Sequence, residues 1–325
     1  MNNLRRQTSS FVLMLLLLFP LYSLSFSETY FTLLPAGTDG SAGTDARYAL
    51  FGEWPQTMKE DYVVIDESVS REVGSLIYYL GSDGEWYCEA YSFYFKVEPI
   101  KWRILNDNYK GNTLLLAEKS LVDCQFYDFV FNRTIGGKVV YPNNYEHSKI
   151  RAFLNGLSYI TKDSENSRQG TNTAFLNRGF LQTAFNDNAQ KVIAYTQIDN
   201  SASSTIDSNK KLSPASKFAC SDTKDKIFLL SEKECTEPMF GLPAYNRAGE
   251  GNRRIRCSTD YLDMIGEIPY SDLISGRYWW LRSPYMESSD DDGWCVRQVL
   301  YDGNAEEYDY INDCIDVVPA LCVRK

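Results

Sequence analysis

His147 is the only imidazole in this 325-residue chain. With Glu146 before it and Ser148 after it, it could act as a general base if a nucleophile and an orienting carboxylate approached it in the fold. The alternative is a polar side chain at a helix entry. One imidazole removes every multi-histidine metal site. Eight cysteines, Cys88, Cys124, Cys220, Cys235, Cys257, Cys295, Cys314 and Cys322, offer thiol or disulfide chemistry. None stands in a Cys-x-x-Cys, so the spacing encodes neither a zinc site nor a thioredoxin-like couple. An even count in an exported chain fits a disulfide framework. The crowding of Cys295, Cys314 and Cys322 predicts a bridge from Cys295 to Cys314 or to Cys322, with buried thiols as the alternative.

Ser288-Ser289-Asp290-Asp291-Asp292-Gly293 gathers hard oxygen ligands of the kind Ca²⁺ takes from flexible loops. It lacks the spaced acids and distal glutamate of an EF-hand and the lectin-type sequences Glu-Pro-Asn and Trp-Asn-Asp. Asp290, Asp291 and Asp292 are therefore a Ca²⁺ candidate set against a solvated acidic turn, and no motif calls for any other cofactor. Nearby, Tyr278, Trp279, Trp280, Trp294 and Tyr301 could form a platform on which a sugar ring or a partner's apolar side chain stacks, with Arg282 or Arg297 fixing orientation. Consecutive residues on a strand face opposite ways, so one of Trp279 and Trp280 is expected in the core and the other outside. A purely structural aromatic core is the competing account, in which Arg282 pairs with a buried carboxylate. The basic run Gly249 to Arg256 reads as a solvated loop, with attraction of a phosphate or carboxylate as the alternative.

These groups belong to an acidic chain: 33 Lys and Arg against 43 Asp and Glu give a net charge of −10. A nucleic-acid footprint needs a concentrated basic face, so DNA and RNA are excluded as partners. Residues 1–27 read as a secretory signal, with Arg5 and Arg6 ahead of the apolar run Phe11 to Leu18 and small residues at Ser25-Phe26-Ser27. Their removal takes two cations and no acid, leaving −12. The apolar run is too short to span a bilayer and no second span follows. The expected location is outside the cytoplasm: periplasmic, surface-bound or released. Residues 28–45, rich in Gly, Thr, Ser and Asp, predict a flexible leader, and 46–325 a single folded domain.

Within that domain, short strands and short helices mix without regular βαβ alternation, which predicts an irregular, loop-rich α+β fold of short antiparallel strands. Residues 100–105 and 113–117 predict a hairpin through the core. Ile150, Phe153, Leu154 and Leu157 mark one helical face, with Ser148 as its cap. A second helix is predicted from Asp187 with Gln190 as capping partner. Ser231 and Glu234 predict a third capping box after the strand-like 227–230 run. Thr161 to Asn172 reads as an inserted polar surface loop. Asp302-Gly303 predicts a hairpin turn.

Phe51-Gly52-Glu53-Trp54-Pro55-Gln56, Lys101-Trp102-Arg103-Ile104-Leu105, Arg151-Ala152-Phe153-Leu154-Asn155 and Trp280-Leu281-Arg282-Ser283-Pro284 follow one another in this order. Together with the strand at 317–321 they resemble a family of exported or surface bacterial proteins of unknown function, over Ala49 to Val323. The C-terminal half of that family is similar to the C-type-lectin-like fold of the formylglycine-generating type. The resemblance implies a binding scaffold more than a reaction, because that fold hosts many functions. A non-catalytic, adhesin-like module for a glycan or protein ligand outside the cell is the expected function, with Tyr278, Trp280, Arg282, Trp294, Arg297 and Tyr301 as its site. Two alternatives stay open: an enzyme of the formylglycine-generating type using a thiol pair among Cys295, Cys314 and Cys322, and a structural envelope protein.

Overall fold

The computed structural model describes residues 31–35, 47–205, 214–244, 249, 251–266, 276–286, 292–305 and 307–325. Residues 1–27 lie outside the described residues. Of the expected leader, 31–35 are described, and Thr32–Leu33 (β1) pairs with Leu50 and Ala49 of Arg47–Met58 (β2).

A nine-stranded sheet organises the molecule. Ile65–Val73 (β3), Leu76–Gly81 (β4), Trp86–Ala90 (β5), Phe93–Tyr109 (β6) and Asn112–Ala117 (β7) form successive antiparallel neighbours, and β2 lies against β6. The short strands Ala320–Val323 and Ile227–Phe228 extend it beyond β7. The expected hairpin is therefore present, but β6 runs 17 residues rather than six and turns at Lys110-Gly111. The expectation of uniformly short strands fails here because β6 serves two partners in succession along its length, β5 and then β7, with β2 on its other edge. Register shifts opposite β2 and β7 let it bend.

The second sheet holds Tyr308–Tyr310, Cys295–Val299, Trp279–Tyr285, Cys314–Val317 and Val122–Gln125 in that order. Only the pairing of Trp279 with Asp316 is parallel. Among the described residues five short α-helices cover the sheets: Lys149–Asn155 (α1), Phe180–Ala184 (α2), Asp187–Val192 (α3), Glu232–Cys235 (α4) and Asp260–Ile265 (α5). The chain is thus α+β, strand-rich and irregular.

Ser148 caps α1, accepting from the Arg151 N–H, and Gly156 ends the helix at φ 67°. A side chain disfavours that left-handed conformation, so the helix stops there and Leu157, expected on the buried face, is exposed. Asn186 rather than Asp187 caps α3, one residue earlier than expected. The predicted Ser231–Glu234 capping box forms in full. Thr161 to Asn172 is bounded by a small hairpin of Tyr159–Thr161 against Gly170–Asn172. Gly303 takes a φ of 84° in the predicted turn.

The family-like landmarks turn out to be ties within the core. Trp54 and Trp102 donate their indole N–H groups to the carbonyls of Leu121 and Phe51 at 2.9 and 2.7 Å. Arg151 clamps Asp225 at 2.8 to 3.0 Å, and Asn155 exchanges hydrogen bonds with the backbone of Lys226 and Ile227. Buried polar groups of this kind need partners, and backbone carbonyls supply them.

Candidate functional site

Trp279 and Trp280 both lie in the core with no exposure. The expected split between inside and outside fails because their strand is interior to the second sheet and both its faces are covered. Trp279 donates to the carbonyl of Arg254 at 3.1 Å on one side, and Trp280 donates to that of Cys124 at 2.8 Å, with the Phe126 ring 6.0 Å away. Trp294 and Tyr301 are each 41% exposed. Tyr301 meets Tyr278 edge-on at 5.7 Å, but Trp280 cannot join them. Arg297 is engaged inside, its guanidinium 3.3 Å from Glu232 and over the Tyr285 ring at 4.5 Å. The six candidates therefore do not form one platform.

The basic run is not a solvated loop either. Arg254 and Arg256 are buried, donating to the carbonyls of Gly303, Pro243, Ala117 and Arg253 at 2.7 to 3.0 Å, and so pin loops rather than offer a patch. Asp316 is gripped by Arg277 at 2.8 and 3.0 Å. Asp290 and Asp291 lie outside the described residues and Asp292 is exposed. No group of three or more potential ligands that could hold a metal occurs among the described residues. His147 is half-buried beside Glu146 at 3.8 Å; burial lowers its pKa, and it lines none of the cavities described below.

The predicted Cys295 bridge is absent, and all eight cysteines are thiols. Cys295 and Cys314 lie on strands separated by a third. That alone puts them at least about 10 Å apart, beyond the roughly 7 Å that a disulfide spans between Cα atoms, and the register sets Cys295 opposite Tyr285 but Cys314 beyond the Trp279 end of the middle strand. Cys322 belongs to the other sheet. Burial pushes the Cys124 and Cys235 thiols up to about 12 and Cys322 to about 11, the opposite of what a reactive thiolate needs.

Chemistry converges instead at one end of Arg282. Between Trp280 and Pro284 the strand slips register, and pairing resumes at Pro284 opposite Val296. Within this bulge Arg282 turns towards α4. Its Nη1 donates to Glu234 Oε2 and to the Leu229 carbonyl at 2.7 Å, and its Nη2 to the Asp199 carbonyl at 3.1 Å. Glu234 thus becomes a hub. Its Oε2 also accepts from the Ser231 N–H at 2.9 Å, and its Oε1 accepts from the Tyr109 hydroxyl at 2.5 Å. Burial alone would raise this carboxyl, yet the Arg282 guanidinium outweighs it and the group is held at about 2.

This hub floors a cavity of about 210 Å³, walled also by Lys110, Lys233, Glu237, Asp199, Ser204 and Phe240. The lining carries three basic residues, Lys110, Lys233 and Arg282, and three acidic ones, Asp199, Glu234 and Glu237. Lys233 and Glu237 have no ion-pair partner among the described residues. Of the residues proposed from sequence, only Arg282 reaches this place. Glu234 is legible beforehand as a capping partner, and a buried arginine demands a carboxylate. Tyr109, Lys110, Asp199 and Lys233 have no motif and are brought in by the β6–β7 turn and the loops around α4.

No helix among the described residues is long and apolar enough to cross a membrane. No curated protein and no solved structure matches the chain. Residues 110–325, which hold nearly the whole cavity, match a domain of unknown function, and the chain belongs to this family, DUF6273.

Proposed function

We propose that this protein is a ligand-binding module of C-type-lectin-like character, exported on loss of residues 1–27, that holds a small polar group of a glycan or protein partner outside the cell in the Arg282–Glu234 cavity. The observation that carries the reading is the ionised, fully hydrogen-bonded Glu234 hub beneath an open, charge-balanced mouth. Fixed charges in a sheltered pocket bind by preorganisation, since they need not reorder when a ligand arrives. A lining with equal numbers of basic and acidic residues favours a neutral polyhydroxyl or zwitterionic group, with Lys233 facing its anionic or hydroxyl end and Glu237 its cationic or donor end.

Binding rather than turnover is supported by how the hydroxyls are used. Ser231 is committed to capping α4, and Ser204 donates to the Ser201 carbonyl at 2.8 Å. The formylglycine-type alternative loses support because its three cysteines are dispersed over two sheets. Titration of residues 28–325 against a panel of glycans, amino acids and short peptides tests the proposal. Binding weakened about tenfold or more by Lys233→Ala and unchanged by Trp294→Ala is expected, since a charge-assisted hydrogen bond is worth roughly 1.5–3 kcal/mol. Binding lost in Trp294→Ala alone would move the site to the C-terminal aromatics. Absence of any binding would favour an envelope role.

A further inference from the structure

On a chain with a net charge of −10, one corner runs against the sign of the whole. Arg47, Lys191, Arg324 and Lys325 rim a groove of about 560 Å³. Its floor is apolar, supplied chiefly by Phe31, Leu33, Val192 and Val323. Asp107 is the one acidic side chain in the lining, and it pairs with Arg47 at 2.5 Å. Lys191, Arg324 and Lys325 have no ion pair among the described residues. The positive strip continues along the neighbouring loops, where Lys224 and Lys226 lie over the Tyr195 ring at 6.0 and 5.1 Å. Burial and the Arg324 cation both lower the Lys226 ammonium, as expected where like charges crowd. Within the strip two apolar side chains stand out, Leu33 at 50% and Tyr195 at 58% exposure.

We infer that this corner docks on a bilayer surface carrying anionic phospholipid, with the cations on the headgroups and the groove, Leu33 and Tyr195 at the acyl boundary. Two features select this occupant. Charge complementarity confines contact to one face, because the acidic remainder of the chain is repelled by an anionic surface, and screening over about 10 Å lets the local patch act despite the net charge. An apolar groove beside the cations suits acyl chains and gives a purely ionic polymer nothing to fill it.

Co-sedimentation of residues 28–325 with phosphatidylcholine vesicles, with and without phosphatidylglycerol, tests the inference. Binding is expected only with phosphatidylglycerol and should weaken as salt rises. The exposed double variant Lys191→Glu/Arg324→Glu should lose at least about tenfold, because it removes two cations from the contact face and places two anions there. Leu33→Asp should weaken binding and leave its salt dependence in place, with circular dichroism confirming the fold of each variant. Lys233→Ala, in the separate cavity, should bind vesicles like the parent. Equal binding to both vesicle types overturns the inference, as does no vesicle binding. So does capture of soluble polyphosphate, lost in the double variant, while vesicles remain unbound.

Discussion

Arg282 and Glu234 form an ion pair whose side chains are only 2% and 11% exposed, in the strand bulge and at the capping position of α4 respectively. The pair joins the second sheet to the helix that carries the cavity wall. The ten residues lining the cavity, the pair included, come from β6, the Trp279–Tyr285 strand, α4 and the segments between them, so the pair sits where distant parts of the chain meet.

Breaking this pair should be costly. Removing one partner strands the other charge away from water, and losses of about 3–5 kcal/mol are typical. Glu234→Gln should therefore lower the denaturation midpoint sharply, whereas the double replacement Glu234→Leu/Arg282→Met should recover most of the loss. Denaturant unfolding of the three proteins reads this directly, and a cost below about 1 kcal/mol for Glu234→Gln would show that water already reaches the pair.

Two carboxylates give stability opposite slopes with pH. Glu234, held at about 2 against an ordinary 4.5, contributes stability that is present above pH 4.5 and lost as pH falls through 2. Burial raises Asp316 to about 6 from 3.8, and Arg277 offsets only part of it. The folded state therefore takes up that proton first, and stability rises as pH falls from 6 towards 3.8. Chemical denaturation across pH 2–7 should show both limbs. Glu234→Gln should flatten the acid limb and Asp316→Asn the one near pH 5; a decline that is monotonic on acidification would contradict the Asp316 assignment, and no loss of stability below pH 4.5 would contradict that of Glu234.

The two tryptophans proposed from sequence as one platform should separate in stability. Trp280→Ala empties a fully buried site and should cost about 3–5 kcal/mol, while Trp294→Ala, at 41% exposure, should stay within about 0.5 kcal/mol. Equal effects would mean that the burial of Trp280 is wrong.

Much of the architecture is legible in the sequence, and the reasons are local. The capping box at Ser231, the Ser148 cap and the Gly303 turn each depend on residues within a few positions of one another. The aromatic platform was misjudged because strand alternation predicts which way a side chain points but not whether the second face is covered, and here both faces are. The disulfide was misjudged for a related reason: Cys295 and Cys314 are near in sequence, yet another strand lies between theirs. The cavity was mostly hidden, since Lys110 and Asp199 reach Glu234 only through long-range topology.

Thiol counting tests that topology. Cys257 is exposed and should react at once with a thiol reagent in the native protein, whereas Cys88, Cys124, Cys235, Cys295 and Cys322 are buried and should wait for unfolding. In denaturant without reductant all eight should titrate. A count of six or fewer would reveal a bridge and revive the disulfide framework.

The most direct measurement of the central claim is protein-observed NMR of residues 28–325 titrated with the glycan, amino-acid and peptide panel. The account predicts shifts centred on Lys110, Ser231, Lys233 and Glu237, with Trp294 and Tyr301 undisturbed. Shifts centred on Trp294 and Tyr301, or on the separate cleft between Arg71, Trp86 and Asn186, would contradict it.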